Sequence, residues 1–254
     1  NLADLSGANI SNASLVMADL SRANLTRAEL SNTAFAFANL NGANLIGAKM
    51  GGTDMSIANL CGANLSGANL TSANLSSADF SLASLVGAEL SGADFTGANL
   101  MGANLIAANL NGVRFVRTNL VNARLQNVNI YGISVWDIKK DGLIQKDLII
   151  TPPGEPEITV DDLDVAQFIY LMLNNQKIRD VIETITSKAV LILGRFTPER
   201  KAVLDAIKDE LRLRNYLPIV FDFENASNKS IDETINLLAR MSRFVIADIT
   251  DAKS

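Results

Sequence analysis

From Leu5 onward the chain is apolar at every fifth position: Leu5, Ile10, Leu15, Leu20 and so on to Ile130, always Leu, Ile, Met or Phe. Two positions before each of these sits Ala, replaced only at Thr33, Thr53, Val113, Thr118 and Val128. The three remaining positions are rich in Asn, Ser, Gly and Asp. A period of five fits neither the 3.6 of a helix nor the 2 of a strand. It predicts a solenoid, in which each unit buries its apolar face only by stacking on the next. A right-handed coil with four short sides satisfies the pattern: one large and one small residue point inward on each side, and the other three positions face water or turn. Residues twenty apart then lie one above the other, about 4.8 Å apart. In that register Glu29 meets Lys49 and Asp94 meets Arg114, while Leu15, Phe35, Met55, Leu75, Phe95 and Phe115 share one inward column.

The stretch ANLSGANLTSANLSSADF at 63 to 80 resembles the pentapeptide-repeat family, whose pattern is A-(D/N)-L-x-x, and the resemblance runs from residue 3 to about 130. It implies an all-β, right-handed quadrilateral β-helix that serves protein interaction or assembly. Some members of that family are similar in shape and charge to a DNA duplex and bind topoisomerases, which requires a strongly acidic rod. Residues 1–130 hold seven acids and six bases, a net charge of only -1, so DNA mimicry is an outsider. Arg114, Arg117 and Arg124 lie close in sequence near the last coils and suit an acidic partner or the acidic second half of the chain. Cys61 fills an outward position normally taken by Ser, Thr or Asn and reads as a tolerated substitution.

After Ile130 the pattern fades through YGISVWDIKK, where Trp136 is placed to cover the open end of the last coil, as a solenoid end requires. TPPGEPE at 151 to 157 reads as a stiff, extended linker, because each proline fixes φ and restricts its predecessor. VDDLDVAQFIYLMLNNQKIRDVIETI at 160 to 185 opens with acids and turns apolar, the pattern of one helix. Phe168 to Leu173 are apolar nearly all round, which suits a helix sandwiched between two domains better than a self-association helix.

From Ala189 the pattern alternates. AVLILGRF at 189 to 196, PIVFDF at 218 to 223 and RFVIADIT at 243 to 250 are strand-like runs. PERKAVLDAIKDELRLR at 198 to 214 and SIDETINLLARMS at 230 to 242 are amphipathic helices, the first with Ala202, Val203, Ala206, Ile207 and Leu211 at helical spacing. This βαβαβ order predicts a parallel sheet with helices on both faces. The expected organisation is therefore a β-helix over 1–135, a cap, Pro-rich linker and connecting helix over 136–187, and a partial α/β, flavodoxin-like domain over 188–254.

Ligands of such sheets sit beyond the carboxyl ends of the strands. Those ends carry Gly194, Arg195, Phe196 and Thr197, then Asp222, then Asp248. Gly194 permits close backbone approach, Arg195 suits a phosphate, and the helix after Thr197 offers N–H donors. Neither G-x-G-x-x-G nor G-x-x-x-x-G-K-[ST] is present, and Asp222 and Asp248 taken singly read equally well as strand-end turn residues.

Composition removes several chemistries. The chain has no His and one Cys, so Ser-His-Asp, Cys-His and His-metal sites and an internal disulfide are excluded for these residues. The net charge of -5 argues against nucleic acid as a partner, and no apolar run approaches the roughly 20 residues of a membrane span. With no signal segment, a cytoplasmic location is expected.

Residues 191 to 254 resemble the start of a TIR-like domain of the predicted nucleotide-binding type that follows pentapeptide repeats in cyanobacterial and other bacterial proteins. The resemblance implies that Gly194 to Thr197 help to form a pocket for NAD or a related nucleotide, and that Asp222 to Lys229 mediate assembly. It also implies that NAD cleavage depends on a Glu on the helix after the third strand. RFVIADIT is that third strand, so the native chain is expected to continue past Ser254, to have been trimmed before Asn1, and to be inactive as an NADase in this form. Two functions follow: a modular signalling or defence protein whose solenoid binds a protein partner or itself while the second half binds nucleotide, or a non-enzymatic oligomerisation module on a scaffold.

Overall fold

A computed structural model describes residues 3–194, 198–222 and 238–247. The chain divides into two compact units, Asn1–Leu171 and Met172–Ser254.

The first unit is a coil whose backbone pairs in parallel at steps of twenty, from Asp4 with Asn24 onward. On each side, the residue before the inward centre bonds the coil before it through both its N–H and its C=O: Asn24 N donates to Ala3 O at 2.9 Å, and Leu5 N donates to Asn24 O at 2.7 Å. The expected ion pairs form, Lys49 with Glu29 at 2.7 Å and Arg114 with Asp94 at 3.7 Å. Inward residues from Leu20 to Ile130 are buried in one continuous core. Phe80 enters from a neighbouring side and meets Phe95 edge-on at 5.5 Å, and Phe95 meets Phe115 at the same distance. Each corner is a tight turn whose second residue is left-handed, so Gly, Asn and Ser recur there.

The ladder continues past Ile130. Strands β1 (Arg114–Val116) and β3 (Ser134–Trp136) pair, as do β2 (Arg124–Gln126) and β4 (Ile144–Lys146), and Asn129 bridges to Ile149. Trp136 does not cover the coil end. It stands one position past the inward Val135, faces outward, and is exposed. Nor is 151–157 an extended linker. β5 (Leu148–Ile149) pairs antiparallel with β6 (Thr159–Val160), and Gly154, at φ 89°, turns the chain back between them. The prolines sit in the loop, where their missing N–H breaks no ladder bond.

Helix α1 (Leu163–Asn174) is the cap. Its Leu163, Ala166 and Gln167 are buried, and Ile169 packs on the solenoid core. Gln167 Oε1 accepts from Val135 N, and Tyr170 meets Tyr131 edge-on at 5.1 Å. The expected single helix is two. Asn175 is extended, and its Oδ1 accepts from Ile178 N at 3.3 Å, starting α2 (Gln176–Lys188). The Arg179 guanidinium donates to the last-turn carbonyls of Met172 and Leu173 at 2.7 and 2.6 Å. An N-cap and a carbonyl-capping arginine so close together end one helix and begin another.

In the second unit β7 (Ala189–Gly194), α3 (Pro198–Leu213), β8 (Leu217–Asp222) and β9 (Phe244–Ala247) form a three-stranded parallel sheet in the order β8-β7-β9. Central β7 is almost entirely buried, as its unbroken apolar run requires. The inward face of α3 is Leu204, Ile207 and Leu211, whereas Ala202, Val203 and Ala206 are exposed. The expected face was therefore rotated by about one residue at its start. Residues 238–241 are helical, and residues 230–237 of the second amphipathic stretch lie outside the described residues.

Candidate functional site

The carboxyl edge of the β8-β7-β9 sheet is where the sequence places a ligand. Gly194 is buried and is the register partner of Asp222, so the two strand ends lie side by side. Leu193 partners Ala247 on the other side, immediately before Asp248 in the chain. Pro198, whose ring fixes φ and whose absent N–H no helix needs at its first turn, opens α3 four residues after Gly194. The structure thus brings Gly194 and Asp222 together at the backbone level. Arg195, Phe196, Thr197 and Asp248 lie outside the described residues.

A groove of about 420 Å³ is also present in this unit, lined by Val203, Ala206, Ile207, Leu211 and Ile246 together with Glu210 and Arg214, which pair with each other at 2.6 Å. None of the six residues named from sequence lines it. Its lining is mostly apolar, and its two charges are already paired. Among the described residues no cluster of acids and cysteine suits a metal ion, and no buried side-chain polar atom lacks a partner. No helix among them is long and apolar enough to cross a membrane.

On the solenoid the three late arginines do not form one patch. Arg114 and Arg124, ten residues apart, belong to different two-stranded sheets, two sides of the coil from each other, and Arg117 stands at a corner. Cys61 is half-buried, and its backbone is tied into the ladder, N–H to Asn59 Oδ1 at 3.0 Å and C=O to Asn41 Nδ2 at 3.0 Å. What sequence reasoning missed is at the other end. Met17, Phe37 and Ile57 share one corner of three successive coils and are exposed. Their spacing of twenty was the available signal.

The fold defines a repeat solenoid of four-sided coils followed by an open parallel α/β sheet. The chain belongs to the pentapeptide-repeat family, whose repeats match in eight copies over residues 3–36, 38–76, 63–100 and 98–137. No curated protein matches it. Similar solved structures include a trypsin-treated form of QnrB1, a plasmid-mediated fluoroquinolone resistance protein, with 23% identity over 55% of this chain and 78% of that one and a TM-score of 0.39. HetL, a pentapeptide repeat protein involved in heterocyst differentiation regulation in the cyanobacterium Nostoc sp. strain PCC 7120, has 28% identity over 61% and 91%, TM-score 0.23. A pentapeptide repeat protein of the Arabidopsis thaliana thylakoid lumen has 30% identity over 45% and 66%, TM-score 0.27.

Proposed function

We propose that this protein is a pentapeptide-repeat interaction scaffold joined to a TIR-like module that binds NAD or a related nucleotide, in a bacterial signalling or defence role. The observation that carries the nucleotide part is the register of Gly194 with Asp222 at the carboxyl edge of a parallel sheet ordered β8-β7-β9. In that order β7 is flanked on both sides, and the strand end before α3 is where a phosphate meets helix N–H groups. Calorimetric titration of NAD and of ADP-ribose into the protein tests it. Binding in the micromolar to millimolar range, weakened about tenfold or more by Arg195→Ala, is expected. No heat at about 1 mM ligand, or binding unchanged by the substitution, overturns the reading.

The second reading, a non-enzymatic assembly module, is favoured by apolar exposure on the same unit: Leu213 is 83% and Val203 62% exposed. Sedimentation equilibrium separates the two, because assembly without nucleotide binding requires a concentration-dependent mass.

A further inference from the structure

The corner formed by the seventeenth residue of each twenty carries Met17, Phe37 and Ile57, exposed by 76%, 56% and 51%, with Val16 beside them at 46%. Their backbones are laddered coil to coil: Met17 N donates to Ala36 O, and Phe37 N to Ser56 O, each at 3.0 Å. The side chains therefore form a row parallel to the solenoid axis, one every 4.8 Å or so. Further along the same corner stand Ser77 and Gly97, the small residues a left-handed turn favours.

Two observations mark this row. The second residue of every corner is left-handed, but here three successive coils place a large apolar side chain on it, at φ 59°, 60° and 60°, a conformation that is most costly for a β-branched residue such as Ile57. The second observation is charge. Around the row and the two coils after it, the corner and its flanking sides, residues 13–20, 33–40, 53–60, 73–80 and 93–100, contain no Lys or Arg; the first cations there are Arg114 and Arg117, on the third coil past Ile57. These stretches hold Asp19, Asp54, Asp79 and Asp94; Asp94 pairs with Arg114, and the other three carboxylates accept from Asn39, Asn74 and Asn99 and form no ion pair among the described residues.

We infer that this corner is a docking site for an amphipathic helix of a partner protein, one whose apolar stripe is flanked by Lys or Arg. The inference deepens the scaffold reading and rests on it. Apolar residues at i, i+3/i+4 and i+7 of a helix recur about every 5.3 Å, close to the coil spacing of about 4.8 Å, so three rungs mesh with a mismatch of about 1 Å. Alternate residues of an extended strand recur about every 6.7 Å and drift by about 2 Å per rung. A second copy docked corner to corner would set Asp19, Asp54 and Asp79 against their own counterparts. An anionic membrane or nucleic acid would meet the same carboxylates.

The test uses two synthetic helical peptides with one leucine stripe, flanked by Lys in one and Glu in the other, titrated by fluorescence anisotropy into the full chain. The expected result is binding of the Lys peptide only, weakening with salt. The combined variant Met17→Asn, Phe37→Asn, Ile57→Asn should keep or raise Tm, since Asn tolerates the left-handed turn, and lose binding by about tenfold or more. Asp54→Asn with Asp79→Asn keeps the stripe and should flatten the salt dependence. Equal binding of both peptides, binding of neither, or binding unaffected by the triple variant overturns the inference. So does a parent dimer that the triple variant dissociates, which would assign the corner to a second copy. NAD binding with no peptide binding overturns the docking corner alone and leaves the nucleotide reading standing.

Discussion

All seven acids of residues 1–130 stand one position before an inward centre, and each has a donor twenty residues on. Asn24 donates to Asp4, Asn39 to Asp19, Asn74 to Asp54, Asn99 to Asp79 and Asn109 to Glu89, while Lys49 and Arg114 pair with Glu29 and Asp94. The cause is the inventory of the side chains. Asn offers an acceptor to the turn N–H two residues on and a donor to the coil before it; a carboxylate offers only acceptors, so the next coil must supply the donor. The N–H of Ser6 to Asp4, and of Ser21 to Asp19, is the main reason these carboxyls titrate below 3.8. At the inward small position there is no such latitude. Ala68 is fully buried within the core, at a position that nowhere in residues 3–130 holds a side chain larger than Val or Thr. Ala68→Phe should destabilise the solenoid by about 1–3 kcal/mol through overpacking, a fall of several degrees in Tm by circular dichroism. A neutral result would remove the assignment of that position to the interior. This layer was legible in the sequence because each residue's role repeats every five positions and is confirmed every twenty.

Elements were less legible where a local signal admits two outcomes. Proline at 152, 153 and 156 excludes ladder bonding, which a linker and a hairpin loop satisfy equally; the antiparallel pairing of Leu148 with Val160 decides between them and is a tertiary fact. Asn175 inside an apolar helical run carries a cap signal, but only the bonds from Ile178 N and Arg179 show that it divides α1 from α2. Trp136 failed as a cap because the coil continued beyond it. The actual cap is fixed through Asp162, whose Oδ1 accepts from Asp164 N at 2.9 Å and Val165 N at 3.1 Å and whose Oδ2 accepts from Gln145 Nε2 at 3.0 Å. Burial pushes its carboxyl up, but the Val165 N–H, the Lys140 ammonium at 3.5 Å and the Asp164 N–H together hold it below 3.8. A depressed folded pKa contributes stability above the unfolded value, about 4, and loses it as pH falls through the folded one. Asp162→Ala should therefore cost about 1 kcal/mol or more in urea unfolding at pH 7, with the gap from the parent narrowing by pH 3. An equal gap at both pH values would mean that the ionised cap plays no part. The Lys140 partner, raised above 10.5 mainly by its bond to Asp164, stays charged throughout that window.

At the scale of the molecule, the candidate site stayed half legible for a physical reason: a sheet edge is assembled from segments far apart in sequence. Gly194 and Asp222 could be placed by strand order, but the loop that would complete a ligand's surroundings has no period to read. The solenoid is the opposite case. Every coil contacts only its neighbours, through pairs separated by a constant twenty residues, so its stability is close to a sum over coils and interfaces. A whole coil should then be removable if the new neighbours match. Deleting residues 81–100 would bring Asn64 beneath Asn104, Asn69 beneath Asn109, Asn74 beneath Arg114 and Asp79 beneath Asn119, each a compatible pair, and would keep every inward centre in its column. Deleting residues 80–100 removes one residue more and leaves the joining coil too short to close its fourth side. Every downstream leucine must then leave the interior or the ladder must break. The first deletion is expected to melt cooperatively with a β-sheet circular dichroism spectrum and a lower Tm, and the second to lose the cooperative transition. Indistinguishable melting of the two would show that the register of twenty is not what holds the coils together.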